Sequence, residues 1–362
     1  MKKTRIIYLL TVAMLLASCD TTDTDFSDRH DAVPLQIGSG ISANLTRAFD
    51  TTWDIGDAIG VFSTVKGNRA SITKSGSQND ENIPYQTIAE AETYTGGSYT
   101  FRSFSPVTNN KQIYLPADGS AVDIYAYYPY TNSAENPVSA SVPLAISIPT
   151  SQTLANQKGI DVLKASLTST TENPIDIDHN QINLMFNHVM SKVIVYVMAG
   201  TGLADEDLTD SKVSSVQLLG QPTTATFAPV SQELTITSGS ATITMQEITD
   251  TTDPDYVASY TKYKDDDPET PDWTKNVLHV YRAIVLPNNE STNPATTGSE
   301  RQIKFNVGDT NYTYNITQNL QSAQQTIFAM RLSATGLDVW ATIVDWSHET
   351  ITPNPLYPNE QQ

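Results

Sequence analysis

Between residues 33 and 45 the apolar side chains keep to odd positions: Val33, Leu35, Ile37, Ile41, Ala43 and Leu45, with Ser39 the one gap. Side chains change face at every residue only in extended chain, so the pattern predicts a long β-strand with one apolar face. Gly38 and Gly40 fall among its outward positions, where they permit a bend or bulge. This commits that end of the chain to β structure.

The body continues the theme in shorter pieces. Strand candidates are Gln112 to Leu115, Asp123 to Tyr128, Lys192 to Met198, Leu234 to Thr237 and Ala241 to Met245. His279 to Leu286, Gln302 to Val307, Asn311 to Asn315 and Val339 to Trp346 follow. Gly56-Asp57, in the segment that starts at Trp53, reads as a turn between short strands. Many short strands punctuated by Gly, Pro, Asn and Ser predict an all-β chain of sandwiches. With 47 Thr, 17 Tyr and only 17% charged residues, composition suits half-exposed sheets. The one stretch that could be helical is Gln318 to Leu332, which lacks Gly and Pro.

Two polar seams divide 362 residues, about two domains of chain. Residues 168–180 precede a strongly apolar run, which places a boundary near 182, between an N-terminal domain over 33–181 and a C-terminal domain over 182–349. Residues 249–272 are acidic and contain Pro, and read as a mobile surface loop of the second domain. Residues 350–362 form a tail.

The N-terminus is an address. Lys2, Lys3 and Arg5 precede an apolar run from Ile6 to Ala17, too short for a ~20-residue membrane span and right for a signal peptide over 1–18. Leu16-Ala17-Ser18-Cys19 resembles a bacterial lipobox, which makes Cys19 the lipidated first residue of the exported chain. Residues 19–32 are polar and acidic and read as a flexible tether.

No chemistry emerges from the rest. A formal charge of −19 repels phosphate backbones, so nucleic acid is excluded as a partner. One Cys rules out an internal disulfide and Cys-based metal centres. His30, His179, His188, His279 and His348 share no metal spacing, and His188, ahead of a buried strand, reads as a hydrogen-bonded structural residue. Ser71-Ile72-Thr73-Lys74 has the SxxK spacing without the SDN or KTG partners of such enzymes. Gly38 to Ala43 matches GxGxxA inside a strand, where a dinucleotide fingerprint must open a helix. Asp265 to Asp267 lack a calcium-loop frame. The expectation is no enzyme, no metal and no cofactor.

Several separated segments resemble one family, the fimbrillins or type V pilin lipoproteins of Bacteroidales. They are the lipobox at Cys19, Trp53-x-x-Gly56-Asp57-x-Ile59-Gly60-Val61, Asp123 to Pro129, Asp161-Val162-Leu163, Phe186-Asn187-His188-Val189-Met190-Ser191-Lys192-Val193, and Ile343-Val344-Asp345-Trp346. They span nearly the whole chain in the family's order. The resemblance implies two tandem Greek-key β-sandwich domains of transthyretin-like type and a place in surface fimbriae. It also implies export to the outer membrane as a lipoprotein, cleavage by an Arg-specific protease, and polymerisation with other fimbrial subunits by strand exchange. It further implies that the end of the 318–332 stretch is strand. Arg47 is the matching cleavage site, with Ala48 as the new N-terminus.

On that scheme residues 33–47 are a removable strand. Val33, Leu35, Ile37, Ile41 and Leu45, at ~1.5–3 kcal/mol each, bound its apolar contribution at roughly 8–15 kcal/mol. While tethered, such a strand outcompetes any free one through its effective concentration. The tail carries Pro353, Pro355 and Pro358, poor material for a donated strand, which leaves tip or accessory positions open beside the stalk. The competing expectation is a monomeric surface lipoprotein that binds a glycan or another host or bacterial ligand through exposed aromatics.

Overall fold

The computed structural model describes residues 33–41, 53–87, 93–96, 99–108, 111–199, 212–256, 278–288, 301–333 and 336–346. In chain order its first strands are β1 (Val33–Pro34), β2 (Gln36–Ile41), β3 (Ala58–Val65), β4 (Asn68–Ile72), β5 (Lys74–Ser75), β6 (Gln78–Asn79), β7 (Ile83–Gln86), β8 (Thr93–Gly96) and β9 (Tyr99–Pro106). Next come β10 (Tyr114–Leu115), β11 (Val122–Tyr128), β12 (Leu144–Ser147), helix α1 (Leu154–Ile160), β13 (Leu163–Leu167), β14 (Gln181–His188) and β15 (Ser191–Ala199). Then follow β16 (Gln217–Gln221), β17 (Thr224–Ala228), β18 (Glu233–Ser238), β19 (Ala241–Thr244), β20 (Gln246–Glu247) and β21 (Leu278–Val285). The last are β22 (Gln302–Val307), β23 (Thr310–Asn315), β24 (Gln324–Ser333) and β25 (Gly336–Asp345). The described residues are all-β apart from α1, which is capped at Thr153 by a reciprocal pair of hydrogen bonds with Asn156.

The first half builds two layers. One runs β14-β2-β9-β8, the other β13-β11-β3 with β7 and β4 beside β3. They join at both margins. At one, β13 and β14 pair through Leu163↔His188 and Lys164↔Asn187. At the other, β9 pairs with β2 through Arg102–Phe104 and then with β7 through Ser105 and Pro106. Inward side chains at period 2, among them Ile37, Ile41, Phe104, Leu184 and Phe186 facing Val61, Ile124 and Leu163, make one core cluster that includes Trp53.

β11 is buried along its whole length, because its other face carries Tyr125 and Tyr127 into a second cluster shared with the later strands. The close approach needs Gly60, paired with Tyr127: a Cβ there would lie 2.3 Å from Tyr127 Cε1 and 2.4 Å from Asn82 Oδ1.

The later strands form a five-stranded sheet, β20-β21-β15-β24-β25, and a four-stranded one, β19-β16-β22-β23. β24 pairs with β15 in parallel and with β25 antiparallel. Gln318 to Leu332 is therefore not a helix: two ladders fix its second part as strand, where both Thr326 and Ile327 are buried. The chain passes from the first layers to the five-stranded sheet between His188 and Ser191. Strand β12, although early in sequence, pairs with β17.

Candidate functional site

The first apolar strand is not one straight piece. Val33 and Pro34 pair with Leu115 and Tyr114, Leu35 N–H donates to Ile113 O (3.0 Å), and only from Gln36 does the chain enter the layer. Ile113 is itself held, its N–H donating to the buried Tyr85 hydroxyl at 3.0 Å. Asn180 accepts Gln36 N–H on its carbonyl (2.9 Å), while its side-chain amide donates to Pro34 O (2.9 Å).

β2 occupies a slot with a strand on each side. It runs parallel to β14, from Gln181↔Gln36 to Phe186↔Ile41, and antiparallel to β9, from Ile37↔Phe104 to Ser39↔Arg102. Leu35, Ile37 and Ile41 are buried, and Val33 is half-buried. Gly38 and Gly40 are buried as well, so the strand is covered on both faces rather than on one. Leu45, Arg47, Ala48 and Cys19 lie outside the described residues.

Trp53 sits at the inner face of the slot. Its indole Nε1 donates to Ser39 O at 3.2 Å, and its own carbonyl accepts from Arg102 Nη1 at 2.9 Å. The ring meets Phe104 of β9 and Phe186 of β14 edge-on, each at 5.2 Å between centroids, and Tyr128 at 5.3 Å. One side chain thus touches both strands that flank β2. Tyr128 in turn donates its hydroxyl to Asp57 Oδ1 (3.1 Å), and Lys158 of α1 pairs with Asp54 and Asp57. The turn motif and the Asp123 to Pro129 motif, far apart in sequence, therefore meet beneath the slot.

The remaining motifs meet where the chain changes sheets. His188 Nδ1 lies 2.9 Å from Asp161 Oδ1, both buried, and the imidazole stacks on Trp346 at 3.9 Å with 6° between planes. The expectation of a hydrogen-bonded His188 agrees with this geometry. Trp346 N–H donates to Ala323 O, and Ala323 N–H donates to Met190 O. Lys192 Nζ stands 5.4 Å over the same indole.

Lys192 also belongs to a buried charge cluster that the sequence did not announce. Its Nζ donates to both oxygens of Asp255, at 3.0 and 3.1 Å. Arg282 Nη1 donates to Asp255 Oδ2 (2.6 Å) and to Asp253 Oδ1 (2.9 Å), and Arg282 Nε to Gln157 Oε1 of α1 (3.1 Å). Burial alone would raise the Asp255 pKa, yet the two cations outweigh it and hold the group down at about 2. The acidic insertion is accordingly anchored at Asp253 and Asp255 rather than solvated throughout, with residues 249–252 exposed ahead of them, while Asp265 to Asp267 lie outside the described residues. The readable signal was a Lys and an Arg inside apolar strands, since a buried cation needs a buried anion.

Among the described residues no group of His, Cys, Asp and Glu could hold a metal ion. No aromatic is among their exposed large hydrophobic side chains, which are Ile55, Val65, Val107, Val142, Leu154 and Ile343.

The fimbrillin-like family matches residues 46–346. A Bacteroides uniformis protein described as a fimbrium subunit, Fim1C, is 30% identical over 246 residues, covering 67% of this chain and 69% of that one. Two crystal structures share the fold. One is a B. uniformis protein described as a cell adhesion protein, with 22% identity, a TM-score of 0.57, and 87% of this chain and 98% of that chain covered. The other is a Bacteroides ovatus protein described in the same terms, with 18% identity, a TM-score of 0.57, and 88% and 99% covered.

Proposed function

Because the chain belongs to the fimbrillin-like family, we propose that it is a fimbrial subunit whose strand β2 is a temporary occupant of its slot. The family is one of fimbrial proteins rather than enzymes, which supports a site of action at a cell-surface fimbrium. In the scheme proposed, the chain is exported as a lipoprotein acylated on Cys19. An Arg-specific protease cuts between Arg47 and Ala48, residues 33–47 leave, and the extended strand of another fimbrial subunit takes their place.

The observation that carries this reading is the position of β2. It is an interior strand, so its loss unpairs two neighbours at once, β14 and β9, and opens a slot that an incoming strand fills with ladders on both sides. Burial of Leu35, Ile37 and Ile41 contributes roughly 5–9 kcal/mol as an upper bound, a strong drive to refill the slot. The occupant is covalently joined to Trp53 through residues 42–52, so while the linker is intact a free strand competes against a very high effective concentration. Cutting the linker removes that advantage and gives assembly its direction. Each subunit that accepts at this slot and donates elsewhere makes a heterologous, non-closing contact, which builds a filament.

The test is genetic and biochemical. A chain carrying Arg47→Ala is expected to reach the surface, keep residues 33–47 and stay out of fimbriae. Incorporation of that variant at the wild-type level would remove the cleavage step from the account.

A further inference from the structure

We propose that Trp53 sets the specificity of the slot, admitting only a strand with a small residue at the place of Ser39, flanked at two residues' distance by aliphatics. The inference rests on the reading of β2 as replaceable and names the kind of strand that replaces it. Ile37, Ser39 and Ile41 share the inward face of β2, and Ile37 and Ile41 are opposite Phe104 and Phe186. Trp53 is in edge contact with both of those rings, and its Nε1 reaches the Ser39 carbonyl between them. The space beneath position 39 is therefore taken by the indole.

Ser39 itself is fully buried, and its Oγ has no hydrogen-bond partner among the described residues. An orphaned hydroxyl in an apolar core is unfavourable, so the position selects for size and not for polarity. Gly38 and Gly40 are buried on the other face, which keeps the middle of the strand thin on both sides.

Trp53 lies C-terminal to Arg47 and stays with the body after the cut. By touching β9 and β14 together it keeps the empty slot one strand wide, and its N–H is left pointing at the place where an incoming carbonyl arrives. The occupant is accordingly an extended segment of another subunit of pattern aliphatic–x–small–x–aliphatic. Residues 347–362 of this chain do not carry it: their large aliphatics are Ile351 and Leu356, with Pro353 and Pro355 between. Val339, Ala341 and Ile343 have the spacing but stand in β25, already paired with β24.

The experiment uses the full chain with a site-specific protease site placed within residues 42–47. After cutting, labelled peptides are offered in excess and exchange is followed by native mass spectrometry. The peptides are residues 33–47 as they stand, with Ser39→Ala, and with Ser39→Leu, beside a peptide of residues 347–362. The unaltered peptide exchanges, Ser39→Ala binds at least as tightly, and Ser39→Leu binds at least ~10-fold more weakly because a filled core resists added methylenes. The 347–362 peptide does not enter. In a Trp53→Ala chain the penalty on Ser39→Leu shrinks to within about threefold, since the cavity now takes the larger side chain. Equal binding of Ser39→Leu and the unaltered peptide to the wild-type chain overturns the size rule while leaving strand replacement intact. Failure of every peptide, the unaltered one included, overturns strand replacement and the rule with it. Should Trp53→Ala not fold, the peptide series on the wild-type chain decides alone.

Discussion

Replacing Asp255 by Asn isolates the buried charge cluster at one atom. The wild-type site holds two cations, Lys192 and Arg282, and two anions, Asp253 and Asp255. In Asp255→Asn, Arg282 keeps Asp253 and Gln157, but Lys192 loses the carboxylate that chelates it. Breaking a buried pair from one side costs about 3–5 kcal/mol. An independent ceiling comes from letting Lys192 go neutral: at ~1.36 kcal/mol per pH unit between pH 7 and an ordinary Lys pKa near 10.4, that is roughly 4.6 kcal/mol. The two figures agree, and burial already lowers the Lys192 pKa in the wild type. If Lys192 is neutral in the folded variant and charged in the unfolded chain, the unfolded state binds one more proton, and the variant's stability climbs with pH. Between pH 7 and pH 9 that one-proton difference raises the variant's stability by about 2.7 kcal/mol, whereas Asp255 of the wild type, at about 2, is ionised at both pH values. Urea unfolding of both chains at the two pH values measures it. A deficit under ~1 kcal/mol at pH 7, or one that is the same at pH 9, refutes the picture of a dry, paired cluster.

Other outcomes follow from the same geometry. Gly60→Ala drives a Cβ into Tyr127 and Asn82 and lowers stability by about 1–3 kcal/mol in chemical denaturation. Burial raises the Asp80 pKa to about 6, so its folded form prefers the proton, and the stability this gives is full below about pH 4 and lost as pH rises through 6. Asp80→Asn is therefore neutral near pH 4 and stabilising at pH 7.5, by up to about 3 kcal/mol; an equal effect at both pH values contradicts it. Trp346→Ala removes the ring stacked on His188 and beneath Lys192, and costs about 3–5 kcal/mol by thermal or urea unfolding.

How much of this was legible in the sequence differs by feature. Alternation from Val33 to Ile41 revealed a strand and its inward face, because periodicity reports faces. It could not report neighbours, so the parallel pairing with β14, some 145 residues away by number, and the burial of Gly38 and Gly40 came only with the fold. Gln318 to Leu332 carried no local breaker and was ambiguous from composition; two flanking ladders made its end a strand. Residues 249–272 looked solvated because acidic runs usually are, whereas Asp253 and Asp255 are drawn inside by Lys192 and Arg282. The motif of Phe186 to Val193 pointed to the right place without giving its reason, which is the Asp161–His188–Trp346 stack at the change of sheets.

The replaceable strand is tested most directly by the N-terminus and intact mass of the protein taken from fimbriae on its own cells. The account predicts a chain that begins at Ala48, carries no lipid and lacks residues 33–47. A fimbrial chain that still begins at acylated Cys19, with β2 attached, would contradict it.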